Sequence, residues 1–211
     1  MIRWAACLAF AAIALAATAT PAQPPAIPTL PLSITVADHE GASVVSDAWI
    51  DAQLENANTI FAPVGLSFRT VDRAAMDARH ARLETRRDRH ALGALLHPRV
   101  IDWFIVLSLR DVDEPSRYRQ GVHWRPRGEG IAPGAHLVIT SSIASPTVLA
   151  HELGHYFGNG HSDVPGNIMS YERGDVPPFF DEAQARRIRT FARRFLARGE
   201  LQPATGPAPR R

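Results

Sequence analysis

Cysteine is nearly absent from this 211-residue chain; the single one, Cys7, lies close to the N-terminus. That excludes a disulfide framework. It also excludes a cysteine-ligated metal or a cysteine nucleophile in the rest of the chain. Lysine is missing altogether, and all 23 basic residues are arginine, a mark of genome composition before function. Against 21 acidic residues they leave a net charge of +2, too balanced for a dedicated nucleic-acid binder. No internal repeat is apparent. What remains is ordinary globular composition, 45% hydrophobic and 21% charged, which rules out wholesale disorder and leaves room for one domain.

Arg3 precedes an apolar run from Trp4 to Ala17, about 14 residues, short of the roughly 20 that span a membrane. Ala17-Thr18-Ala19 then supplies a small-x-small cleavage pattern. Residues 1–19 read as a secretory signal peptide, with an uncleaved anchor as the alternative. The product is expected to be secreted or periplasmic, with no stable membrane anchor after cleavage. Residues 20–30, with four prolines, read as an extended leader.

Leu32 to Val36 alternates apolar and polar, as a strand does. Ser46 or Asp47 can cap a helix running to Phe61, with Trp49, Ile50, Leu54, Ala57 and Phe61 on its apolar side. Leu66 to Val71 reads as a second strand. Residues 72–99 are highly charged and read as a solvated helical crossover, or else as a patch for an anionic polymer. Ile101 to Leu109 is a buried central strand by its β-branched and aromatic content. Asp111, Asp113 and Glu114 lie in a loop, where they are either solvated or a calcium site. Gln120 to Arg125 and His136 to Ile143 are further strands. The order predicts an α+β fold with one mixed sheet.

Ser145 and Pro146 suit the cap and first position of a helix that runs into His151-Glu152-Leu153-Gly154-His155. Residues i and i+4 share a helix face, so His151 and His155 can direct two imidazoles at one point. Neutral imidazole is a good zinc donor. Glu152 adjoins the first of them, placed for proton transfer rather than ligation. Gly158 can take a left-handed conformation and end the helix, letting His161 return as a third donor. A chance occurrence of this His-Glu-x-x-His-x-x-Gly-x-x-His pattern in such a composition is on the order of 10⁻⁴ or below.

Residues 151–161 resemble the extended zinc motif of the metzincin endopeptidases, in which a Met-turn follows. Asn167-Ile168-Met169-Ser170-Tyr171 is similar to the Met-turns of the serralysin and astacin types; the family within the clan stays open. The resemblance implies one catalytic Zn²⁺ on His151, His155 and His161, and Glu152 as general base. It makes Met169 an apolar floor and Tyr171 a hydroxyl able to assist at the reacting carbonyl, or else a packing tyrosine. It further implies a five-stranded mixed sheet with backing helices, the active-site helix and a small C-terminal subdomain. The catalytic domain is set at 31–198, divided after 161, with a disordered tail over 199–211.

By the same resemblance a protein or peptide substrate binds in extended form along an edge strand, here Gln120 to Arg125 by order alone. His123 and Trp124 either line the cleft or are ordinary strand residues. Glu172 to Phe180 wall the specificity pocket, where Arg173 either favours an acidic side chain or points to solvent. Asp181 to Gln184 resembles a capping box, opening a helix with Ile188, Phe191, Phe195 and Leu196 inward. The arginines on its other face are solvated, or attracted to an anionic surface. The expectation is a secreted, monomeric zinc endopeptidase. The alternatives are a zinc amidohydrolase acting on peptidoglycan cross-links and a non-catalytic binding protein that retains the fold.

Overall fold

The computed structural model describes residues 26–204. The expected signal peptide, most of the leader and the end of the tail lie outside the described residues. Leu30–His39 forms β1, beginning at the last leader residue. Ala42–Ser43 forms the short β2. Asp47–Phe61 is α1, capped by the Ser46 side chain on the Trp49 N–H. Phe68–Met76 is β3, and Arg82–Leu83 is β4. Arg86–Ala91 is α2, and Ile101–Val106 is β5. Ser108–Leu109, Gly121–Trp124 and Leu137–Ser141 are β6, β7 and β8. Val148–Tyr156 is α3, and Glu182–Ala197 is α4.

The main sheet runs β2-β1-β5-β8-β7, with β3 on the other flank of β1. Strands β3, β1, β5 and β8 are parallel, and β7 is antiparallel at the edge. This is the expected mixed α+β sheet, with six strands rather than five. A parallel strand covered on both faces needs apolar side chains on both, and every residue of β5 is buried. One face packs Leu32, Ile34, Trp103, Ile105 and Val138 against α1 and α3. The other packs Phe104, Val106, Leu137 and Ile139 against Leu83, Leu92 and Leu109.

The charged stretch 72–99 is not one solvated helix. Its first residues extend β3 as an exposed edge, and only Arg86–Ala91 is α-helical. Arg89 is 3% exposed; its guanidinium sits 5.0 Å over the Trp124 ring and donates to the Arg110 carbonyl. Apolar Leu83 and Leu92 fix the path of this stretch by entering the second core. The end of the chain differs as well. Leu201 is 2% exposed, Gln202 N–H bonds the Arg99 carbonyl, and Ala204 N–H bonds the Thr29 carbonyl. Residues 199–204, expected to be disordered, are thus tied to the body through the Leu201 side chain and through backbone bonds to the end of α4, to Arg99 and to Thr29. Among the described residues no helix is long and apolar enough to cross a membrane.

Candidate metal centre and cleft

Helix α3 leaves the sheet beside β8. Ser145 does not cap it: Thr147 precedes the first helical residue, and neither side chain bonds the exposed N–H groups. Gln53 of α1 does the work instead. It is 1% exposed, accepts from Leu149 N–H, and donates to the Ala144 and Ser145 carbonyls. The backbone groups at a helix start must be satisfied somehow, and here a buried amide from a neighbouring helix satisfies one donor and two acceptors. A polar residue on the buried face of an otherwise apolar helix was the available sequence signal.

The helix ends where Gly158 takes φ +85°, and Asn159 N–H bonds back to the Gly154 carbonyl. That reversal returns His161 to the two helical histidines. The Nε2 atoms of His151 and His155 are 3.1 Å apart, and those of His155 and His161 3.2 Å. Among the described residues this is the group of three that can hold a metal ion.

The tautomers decide what the group can hold. His151 Nδ1 lies 2.7 Å from the Ile168 carbonyl, and His155 Nδ1 lies 2.8 Å from the Asn159 carbonyl. A carbonyl only accepts, so both Nδ1 atoms carry the proton and both Nε2 atoms present lone pairs. Burial lowers the pKa of all three rings, His155 to about 4, so the neutral ligating form prevails. Facing lone pairs at this distance repel unless a shared cation lies among them. Three nitrogens at about 2.0–2.1 Å from one tetrahedral zinc are themselves about 3.3 Å apart, so the donor set fits zinc.

Below the cluster Met169 is fully buried, with its sulfur against α3 where Gly154 has no side chain. Its N–H bonds Asn167 Oδ1, and Asn167 exchanges two amide bonds with Gln184 in the capping box of α4. The turn is therefore braced by the C-terminal helix. Tyr171 is 70% exposed, its hydroxyl 2.9 Å from His161 Nε2.

Glu152 is 6% exposed beside β7. Burial pushes its carboxyl up to about 8, against the pull of the His123 N–H and of Arg119. Gly121 gives it room, since any side chain there would meet its Oε1 and Val148.

Among the described residues β7 pairs only with β8, which leaves its other edge open beside the cluster. His123 and Trp124 do not line the cleft. His123 turns inward to His136, 3.0 Å away, and Trp124 bonds His90 under Arg86 and Arg89. Arg173 is exposed but rests on the Ser145 and Thr147 hydroxyls. Calcium has no support in the 111–119 loop. Asp111 pairs with Arg119, Asp113 with Arg86, and Glu114 with Arg117, so arginines occupy the carboxylates a calcium ion would need.

No family model matches the chain, and no curated protein matches it in sequence. Solved structures do. Metalloproteinase-II from Bacteroides fragilis aligns with a TM-score of 0.54 at 15% identity, over 81% of this chain. Mature mirolysin from Tannerella forsythia, in complex with a cleaved peptide, gives 0.57 at 14% over 85%. Archaemetzincin from Methanopyrus kandleri gives 0.52 at 14% over 78%. The fold is that of the metzincin-type metalloproteases. This chain spans 55% of the Bacteroides chain, 100% of mature mirolysin and 96% of archaemetzincin.

Within this metzincin-type frame, four features escaped the sequence: Gln53, Gly121, Arg119 and the two carbonyls that orient the histidines. Arg119 lies two residues before the start of β7, and its charge acts on both Glu152 and His161. Nothing in the sequence distinguishes it from the arginines around it.

Proposed function

We propose that this chain is a zinc-dependent endopeptidase. The observation that carries the reading is the convergence of three Nε2 atoms beside a buried carboxyl and an unpaired strand edge. His151, His155 and His161 hold the zinc. When bound, it supplies a water of lowered pKa and polarises the scissile carbonyl.

The remaining work falls to the chain's own groups. The Ile168 and Asn159 carbonyls keep His151 and His155 in the ligating tautomer. Glu152 takes the proton of the attacking water and passes it to the leaving amine. Its surroundings are dry, which makes proton transfer sensitive to its position. The free edge of β7 holds an extended peptide through main-chain hydrogen bonds that ignore side-chain identity. Tyr171 offers a hydroxyl to the developing oxyanion. The Arg3–Ala19 pattern supports export of the mature protein.

The test pairs wild type with Glu152→Gln on a degenerate quenched-peptide library, with zinc stoichiometry measured on both. About one zinc in each, cleavage by wild type, and a loss of roughly 10²–10⁴-fold or more in the variant are expected. Zinc without cleavage in either protein would refute the peptidase. No zinc would refute the ligand assignment.

A further inference from the structure

We propose that Arg119 is a specificity-determining residue that takes a carboxylate of the peptide at the end of the cleft where β7 begins. The proposal rests on the peptidase reading above.

Arg119 is held from behind. Asp111, 3% exposed, accepts the Asp113 and Glu114 N–H groups on Oδ1, and the Arg119 Nε and one terminal nitrogen on Oδ2 at 2.6 Å. The backbone bonds, with Arg119 adding to them, hold the Asp111 carboxyl below its usual range, so it stays charged. A guanidinium has five N–H donors in one plane, and Asp111 engages one edge. The other terminal nitrogen is not taken by Asp111, and the side chain is 42% exposed. The charge of Arg119 acts on Glu152 and on His161, and Gly121, two residues further on, lies against the Glu152 carboxyl.

Beside Arg119 lies a depression of about 210 Å³ with Leu107, Tyr118 and Ile143 on its walls. Ile143 is 68% exposed and Tyr118 50%, which is apolar surface left open next to an oriented cation. A second cation stands near. Gln120, the next residue, accepts the Ser145 N–H, and Ser145 Oγ accepts from Arg173. Among the described residues Arg173 bonds the Ser145 and Thr147 hydroxyls and no carboxylate.

The physics favours short-range recognition. Asp111 cancels much of the Arg119 charge at a distance. What remains is a rigid pair of donors, the fork that fits a carboxylate bidentately. A loop-closing ion pair would need the buried carboxylate but not the exposed outer edge beside the metal ligands. The carboxylate can come from an Asp or Glu side chain or from the end of the peptide chain.

The experiment uses the zinc-loaded Glu152→Gln protein and fluorescent peptides. Glu replaces Gln at each position in turn, and each peptide is made with a free and an amidated C-terminus. Binding is read by anisotropy, and cleavage by wild type is read on the same peptides. Glu should beat Gln at one position by on the order of tenfold. A preference that follows the free C-terminus instead also supports the site and names the chain end as its ligand. In the same background, Arg119→Lys keeps the charge but loses the fork, and should bring the ratio near parity. Arg119→Gln combined with Asp111→Asn should do the same without leaving a buried charge unpaired. The amidated Gln peptide should weaken far less than the peptide carrying the recognised carboxylate in both, with zinc content and circular dichroism confirming the fold. Equal binding of Glu and Gln, free and amidated, overturns the proposal, as does a uniform weakening of all peptides in the variants. Preference in binding without cleavage keeps the carboxylate site and removes the peptidase. Cleavage without preference does the reverse.

Discussion

Gly121→Ala tests how closely the edge strand controls the general base. Gly121 opens β7, and it is not among the glycines with positive φ. Its role is space rather than backbone freedom. Relieved of contacts, Gly→Ala would stabilise the protein by about 0.4–1 kcal/mol through the unfolded chain. The contacts reverse that. A methyl would stand 2.8 Å from Glu152 Oε1 and 2.5 Å from Val148 Cγ1. To reach the 3.4 Å at which ordinary contact begins, the carboxylate oxygen must retreat by about 0.6 Å. Val148 yields less readily, because a β-branched side chain in a helix has one strongly preferred rotamer. A misplacement of about 1 Å in reacting geometry can cost on the order of 10²-fold, so about tenfold in kcat is expected here. The assay is kcat and KM on a fluorogenic peptide, with zinc content measured alongside. Zinc should stay at about one equivalent, since the methyl touches none of the ligands. Adding Val148→Ala should recover part of the loss. Full activity in Gly121→Ala would refute the reasoning, and so would a loss of zinc in step with the loss of rate.

Three further outcomes follow from other parts of the structure. Burial raises the Asp102 carboxyl from 3.8 to about 6 despite its bonds to His97 N–H and Nδ1. A raised folded pKa favours folding below the unfolded value, and that contribution is lost as pH rises through about 6, worth at most about 3 kcal/mol. Asp102→Asn should therefore gain on wild type in urea unfolding between pH 4 and pH 7, and a pH-independent difference would refute it. Gly158→Ala puts a side chain at φ +85° and 2.8 Å from the Phe191 ring. About 2 kcal/mol should be lost, read as a lower melting temperature, with Phe191→Leu restoring only the steric share. Chelating the metal should lower the melting temperature by about 5–10 °C at free zinc near 100 times Kd, because the ion binds only the folded chain. An unchanged melt would mean that the three histidines hold no ion.

Much of the fold was legible where period and composition agreed. The apolar run Ile101 to Leu109 reads as one central strand; its first six residues are β5, buried throughout, while Ser108–Leu109 leave to pair with β4 in a separate sheet. Ser46 and the Asp181 to Gln184 box capped their helices because capping is a local matter of one side chain and the next turn. The motif residues were legible for the same reason: i and i+4 on a helix meet without help from elsewhere. The failures were non-local. The charge of residues 72–99 suggests a solvated helical crossover, while two leucines in the second core set their course. The start of α3 was assigned to Ser145, when the group that satisfies it is Gln53, far away in sequence and adjacent only after α1 packs. The tail was judged by its composition, while a single buried leucine anchors its first part.

The orientation of the histidines belongs to the same class, and it changes what the Met-turn is for. His151 needs its proton on Nδ1, and the group that holds it there is the carbonyl of Ile168, the residue before Met169. A backbone carbonyl has no signature in sequence, since every residue carries one. What the sequence does carry is the apparatus that places it. Asn167 fixes the turn by accepting the Met169 N–H and locking onto Gln184. Met169 fills the gap left by Gly154, so the turn can approach α3 closely enough for the carbonyl to reach the ring. On this account the methionine acts through packing distance. A smaller residue would loosen the approach and free the His151 ring to turn, weakening the metal before it weakens the fold.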